Sequence, residues 1–199
     1  TRHRESPRES VDVLVIVATG EELTGVRIEA ADTKSMSEIA AEVERRTALI
    51  RQGQDAEFGR TKRMLEVLPP SLLRQGLRLS AWLTSDRNVN LPRFGLPRQA
   101  FGGAMVSSIG MTGITHAYSP LASYYRVPLL VLVGAVQQKA VVVNDTIVAR
   151  PILTMTATFD HRYTDGLQAA KFAQAASEYL SNPQATESRV IHLEGAATG

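Results

Sequence analysis

From residue 104 to residue 159 the chain is a succession of short apolar runs separated by turn signals. This stretch limits the possible folds more than any other. AMVSSIG (104–110) is a brief β-prone run entering a glycine-containing loop. VPLLVLVGAV (127–136) and KAVVVN (139–144) are dense in branched apolar residues, and Asn144-Asp145 is a hairpin signal ahead of TIVAR (146–150). PILTMTATFDH (151–161) then alternates with a period of two. Leu153, Met155, Ala157 and Phe159 point one way, and Thr154, Thr156 and Thr158 the other. On that period His161 falls on the Leu/Met/Phe side, just past the end of a buried strand. Behind it Asp165 is placed as a helix N-cap. Ala169, Phe172, Ala173, Ala176 and Leu180 form one helical face, and Pro183 is the terminator.

The earlier part of the chain supplies the remaining elements. VDVLVIVA (11–18) reads as a buried strand with a Thr19-Gly20 turn after it, and a second short strand is expected around 26–28. Ser35 and Glu38 fit a capping box for a helix whose face carries Ile39, Val43, Leu49 and Ile50, with Gly53 as its stop. The order is strand, helix, insert, strands, helix. That order predicts an α/β fold, a two-layer sandwich built on a mixed sheet.

Composition narrows the chemistry. The chain has no cysteine, which excludes disulfides, thiolate-bound zinc and thiol catalysis and suits a reducing cytoplasm. The run 127–136 is too short for a membrane span, which needs about 20 residues. TRHRESPRES (1–10) is polar and carries no secretory signature. A net charge of +2 gives no general case for nucleic acid. The charge is unevenly spread, however. Between 60 and 98 lie eight basic residues (Arg60, Lys62, Arg63, Arg74, Arg78, Arg87, Arg93, Arg98) against Glu66 and Asp86, a net +6 that leaves −4 on the remainder. Within this region SLLRQGLRLSAWL follows Pro69-Pro70 and is expected to be a basic amphipathic helix with Leu72, Leu73 and Leu77 inward. Two readings of it stay open: a helical excursion packed on the domain, or a surface for an anionic partner, a membrane face or a phosphorylated cofactor.

The chemistry concentrates in TFDHRYTDG (158–166), one of few places where the chain, with four histidines in all, spends one. His161 has three readings: a core histidine satisfied by the backbone, a metal ligand, or a general base favoured as neutral imidazole by burial. Asp160 and Asp165 are near, yet no His-x-x-x-His or clustered carboxylate pattern supports a metal. The His-Arg-Asp order of a kinase loop and a Gly-x-Ser-x-Gly elbow are both absent. Spacing takes the reading no further than a plausible base at a strand-to-helix junction.

Asp160-His161-Arg162-x-x-Asp165-Gly166, between an alternating strand and a helix ending in Asn-Pro, resembles the C-terminal signature of the 2-oxoacid dehydrogenase acyltransferase (dihydrolipoamide acyltransferase) catalytic domains. That family shares its fold with chloramphenicol acetyltransferase. GGAMVSSIGMTGI (102–114) is similar to the family's Thr-Ile-Ser-Asn/Ser-Leu-Gly strand and loop, and YYRVPLLVLVGAVQQKAVV to the strand that follows. Residues 11–43 resemble the family's strand, Thr-centred turn and capped helix. The likeness covers about three quarters of the chain, in the family's order.

The resemblance implies a CoA-dependent acyltransferase that moves an acyl group between coenzyme A and a thiol acceptor such as dihydrolipoamide. It makes His161 the general base on the thiol, Ser107 the donor to the oxyanion (Ser108 if the register differs by one) and Asp165 a supporting group. Arg162 is expected to pair internally. It further implies a homotrimer or trimer-based oligomer in which the base and the serine come from different chains, a cytoplasmic location, and no bound metal. No nucleic acid and no membrane span are expected. The expected catalytic domain is 11–193, without the N-terminal part usual in the family and with a basic insert at 56–100. No lipoyl domain or lipoyl-lysine is seen in this chain, so the implied protein is a stand-alone relative. Two alternatives share the fold: a non-catalytic oligomeric core or binding module, and an O-acetyltransferase acting on a hydroxyl acceptor.

Overall fold

The computed structural model describes residues 10–19, 22–53, 69–82, 101–122 and 125–183. Strands β1 (Val13–Thr19) and β2 (Glu22–Ile28) form a hairpin, and helix α1 (Met36–Arg51) follows. Helix α2 (Pro70–Ala81) precedes strands β3 (Ala104–Ser108), β4 (Leu129–Val133), β5 (Gln137–Val143), β6 (Thr146–Ile152) and β7 (Met155–Phe159). Helix α3 (Gly166–Ser181) is the last element described. The main sheet runs β2-β1-β3-β4-β7. The pairs β1–β3 and β3–β4 are parallel, while β1–β2 and β4–β7 are antiparallel. The sheet is therefore mixed, as expected. Among the described residues β5 and β6 pair only with each other, through the predicted turn, where Asn144 and Asp145 both take left-handed conformations (φ 50° and 59°).

The register sorts the side chains into two faces. Val26 and Ile28, the most deeply buried large side chains at 2% and 0% exposure, pair with Val15 and Val13 on the side where α1 packs over β1 and β2. Ser35 caps α1 as predicted. Its hydroxyl accepts from the Glu38 amide, and the Ser35 amide donates to the Glu38 carboxylate. The opposite face carries a second cluster, Leu14, Met105, Leu130 and Leu132 with Val127. Among the described residues that face is covered by the stretch after β3, through Ile109, Ala117 and Leu121. Thr156 and Thr158 fasten that stretch, their hydroxyls donating to the Ala117 carbonyl at 2.6 Å and the Ser119 carbonyl at 2.8 Å.

Three expectations are corrected. PILTMTATFDH is not one strand: Pro151 and Ile152 close the β5–β6 hairpin, and β7 begins at Met155 in the other sheet. The chain changes sheets where it is crowded. A side chain on Gly134 would strike the Thr115 and Thr154 carbonyls, and the Gly134 amide donates to Thr154. Secondly, β7 is an edge strand whose threonine side faces the cover, while Met155 and Ala157 face out. Period alone does not say which side of a strand is buried. Thirdly, Leu72 of α2 is exposed, not inward. The side chains of Leu73 and Leu77 lie outside the described residues, as do most of the insert 56–100 and residues 184–193 of the expected domain.

The edge of the core is tied to β1 by Asp12. Its carboxylate accepts from Arg27 at 2.6 Å and from the Ala30 amide at 2.9 Å, and its carbonyl accepts from Gly103 at 2.8 Å. Gly102 sits against it with φ 72°, where a Cβ would lie 2.5 Å from the Asp12 carbonyl oxygen. Gly102→Ala is expected to cost about 2–3 kcal/mol, measured by urea unfolding. A loss below about 0.5 kcal/mol would show that Asp12 and β3 are not held this closely.

Candidate functional site

After Phe159 the chain stays beside β4 for one more residue, the Asp160 amide donating to the Pro128 carbonyl at 2.8 Å, and then turns sharply. Asp160 organises the turn. Its carbonyl accepts from the Tyr163 and Thr164 amides. Its carboxylate accepts from the Arg162 amide (3.0 Å), from Arg162 Nε (2.9 Å to Oδ1) and from Nη2 (2.6 Å to Oδ2). Arg162 thus pairs within the motif, as expected. Asp165 then caps α3: its carboxylate accepts from the Gln168 amide at 2.9 Å, while its own amide donates to the Gln168 side chain at 3.0 Å. Phe172 of α3 meets Phe159 edge-on, with centroids 5.6 Å apart. The turn is therefore braced at both ends.

His161 lies on this turn, at the lip of an open cavity of about 270 Å³. Leu121, Ala122, Arg126, Val127, Phe159, Asp160 and Arg162 complete the lining. The histidine is exposed within the single chain, a correction to the expected burial. The reason is the outward apolar side of the edge strand that carries it. Leu121, Ala122, Arg126 and Val127 had no signal in the sequence, because only the tertiary fold brings them to His161.

Ser107 and Ser108 lie elsewhere. Ser107 is half-buried in β3 on the face of Leu14 and Met105, in register with Ile16 and Leu132, and Ser108 is exposed on the other face. Leu132 in turn pairs with Thr156 of β7. The strand direction runs on to Asp160, four residues and about 13 Å beyond Thr156, and His161 opens the turn after it, two strands across from Ser107. Within one chain the histidine and either serine sit at opposite ends of the sheet and cannot act on one carbonyl. Among the described residues no group of three or more His, Asp or Glu side chains is placed to hold a metal.

A mixed sheet with α1 and α3 on one face and a histidine at the strand-to-helix turn after an edge strand defines a two-layer α/β domain. Comparison with known proteins is consistent with this. Residues 98–187 match the catalytic-domain model of the 2-oxoacid dehydrogenases acyltransferase family. A probable dihydrolipoyllysine-residue succinyltransferase component of the mitochondrial 2-oxoglutarate dehydrogenase complex of Schizosaccharomyces pombe is 28% identical over 104 residues, 52% of this chain and 23% of that protein. The chain thus spans less than a quarter of the length of this curated relative. Among solved structures, the cubic core of the pyruvate dehydrogenase multienzyme complex superposes with a TM-score of 0.59 at 18% identity, over 89% of this chain and 56% of the other. A dihydrolipoamide acetyltransferase of Azotobacter vinelandii, solved to define the roles of a serine, a histidine and an asparagine in its mechanism, superposes with a TM-score of 0.58 at 17% identity over the same shares. These likenesses establish the fold.

The Arg162 guanidinium, hydrogen-bonded to Asp160, holds that carboxyl below its ordinary value, outweighing the opposing effect of partial burial. A lowered carboxyl pKa stabilises the folded turn above the ordinary Asp value of about 3.9. The contribution is lost as pH falls through the lower, folded value. In Arg162→Gln the Asp160 titration, followed by carboxyl-carbon NMR, is expected to move up toward the ordinary value; an unmoved midpoint would mean that the ion pair is not formed in solution.

Proposed function

We propose that this chain is a CoA-dependent acyltransferase that moves an acyl group between coenzyme A and a thiol such as dihydrolipoamide, acting in the cytoplasm as a homotrimer or trimer-based assembly. The observation that carries the reading is His161 itself, presented by the Asp160–Arg162 clamp and the Asp165 cap at the lip of a cavity, inside the segment that matches the family. Its imidazole takes the proton of the incoming thiol, which at neutral pH is mostly protonated and unreactive. The thiolate attacks the thioester carbonyl carbon, and the carbonyl oxygen becomes the oxyanion of a tetrahedral intermediate. The Ser107 hydroxyl donates to that oxygen. Collapse breaks the old carbon–sulfur bond, and the departing thiolate takes the proton back from the imidazolium. Asp165 acts as a positioning residue, since its carboxylate is engaged by the Gln168 amide at the start of α3.

Assembly follows from the separation of the two groups. A site that needs His161 and Ser107 together is made by His161 of one copy and Ser107 of another. Apolar surface left open in the single chain supports this, notably Val142 and Ile147 of the β5–β6 hairpin, 69% and 74% exposed.

Turnover of acetyl-CoA and other acyl-CoAs with dihydrolipoamide tests the reading. His161→Ala is expected to lower it by about 10²–10⁴ and Ser107→Ala by about 10²–10³, with Ser108→Ala near wild type. Refolding the two inactive variants together is expected to restore roughly a quarter of the sites, since each mixed interface can pair an intact histidine with an intact serine. Turnover unchanged by His161→Ala, or turnover only with hydroxyl acceptors, would overturn the thiol transferase. Failure of the mixture to regain activity would overturn the shared site alone.

A further inference from the structure

No described residue of helix α2 lines the cavity at His161, yet the helix's chemistry is specific. Its sequence, PSLLRQGLRLSA, contains no acidic residue. Leu72 and Leu79, seven residues apart, fall within about 20° of each other around the axis. Both are open to solvent, 55% and 57% exposed, and Trp82 at the C-cap is 43% exposed. Arg78, also exposed, lies roughly 110° around the axis from the leucines. A helix packed on its own domain turns its leucines inward. Here Leu72 and Leu79 face out instead.

The surrounding charge indicates what the leucines meet. The segment 60–98 carries +6 and the rest of the chain −4, so an anionic surface attracts this segment and repels the remainder, which sets an orientation. A nucleic acid would use the arginines but leave Leu72 and Leu79 in water. A bilayer interface accommodates both: leucines at the acyl boundary, arginines among anionic headgroups and a tryptophan at the level where indole is favoured. No helix among the described residues is long and apolar enough to cross a membrane, so the contact is peripheral. We infer that α2 is an interfacial helix that docks the protein onto anionic phospholipid bilayers through Leu72, Leu79 and the basic charge of its segment of the sequence.

Co-sedimentation with vesicles tests this. With phosphatidylcholine and phosphatidylglycerol in roughly a two-to-one ratio the full chain is expected to pellet, and with phosphatidylcholine alone to stay in solution. Raising the salt to about 0.5 M should weaken binding to the anionic vesicles. Leu72→Gln/Leu79→Gln should weaken it by about tenfold or more with an unchanged circular dichroism spectrum. Should that variant misfold, Arg78→Gln serves in its place and is expected to reduce both the affinity and its salt dependence. Absence of binding to anionic vesicles, as a protein-docking helix would give, overturns the inference. Equal binding to neutral vesicles, or undiminished binding by whichever variant folds, overturns it as well.

Discussion

The direction of the strands governs what this molecule can do. β3 lies between β1 and β4 and runs parallel to both, while β7 runs against β4. A serine late in β3 therefore emerges at one end of the sheet, and a histidine just after β7 at the other. No side-chain rotation closes a gap of several strand residues. The backbone hydrogen bonds that stabilise the sheet thus also divide the proposed reaction centre into halves, and a second copy of the chain is the simplest way to join them.

The same sheet explains why so much apolar surface remains open. Its two faces are covered differently, by α1 on one side and by an irregular stretch pinned through Thr156 and Thr158 on the other. The edge strand presents Met155 and Ala157 outward, and the β5–β6 hairpin stands apart from the sheet. A two-stranded hairpin is marginal in water by itself. Its exposed valine and isoleucine, like the edge of β7, are surfaces suited to burial between subunits. The outward leucines of α2 are different in kind, because they are coupled to the most basic segment of the chain.

The local elements were legible in the residues because their causes are local. Ser35 and Glu38 announce a capping box, Asp165 a second cap, and Asn144-Asp145 a turn that takes left-handed backbone, and each stands where expected. The internal pairing of Arg162 with Asp160 was legible for the same reason, being a contact between residues two apart. The long alternation through 151–161 misled because a period of two continues unbroken across a change of sheet. It also names two sides without saying which is covered.

What the sequence determined by itself is the set of elements, their order, and the residue types able to do acyl-transfer chemistry, since caps, turns and periods depend on neighbours a few positions away. Only the tertiary structure decided that Thr156 and Thr158, rather than Met155 and Ala157, line the covered side of β7. It also decided that His161 is open beside Arg126, and that Ser107 lies at the far end of the sheet. Those facts depend on which strands pair, in which direction and under what cover, and such long-range choices leave no periodic trace in the chain.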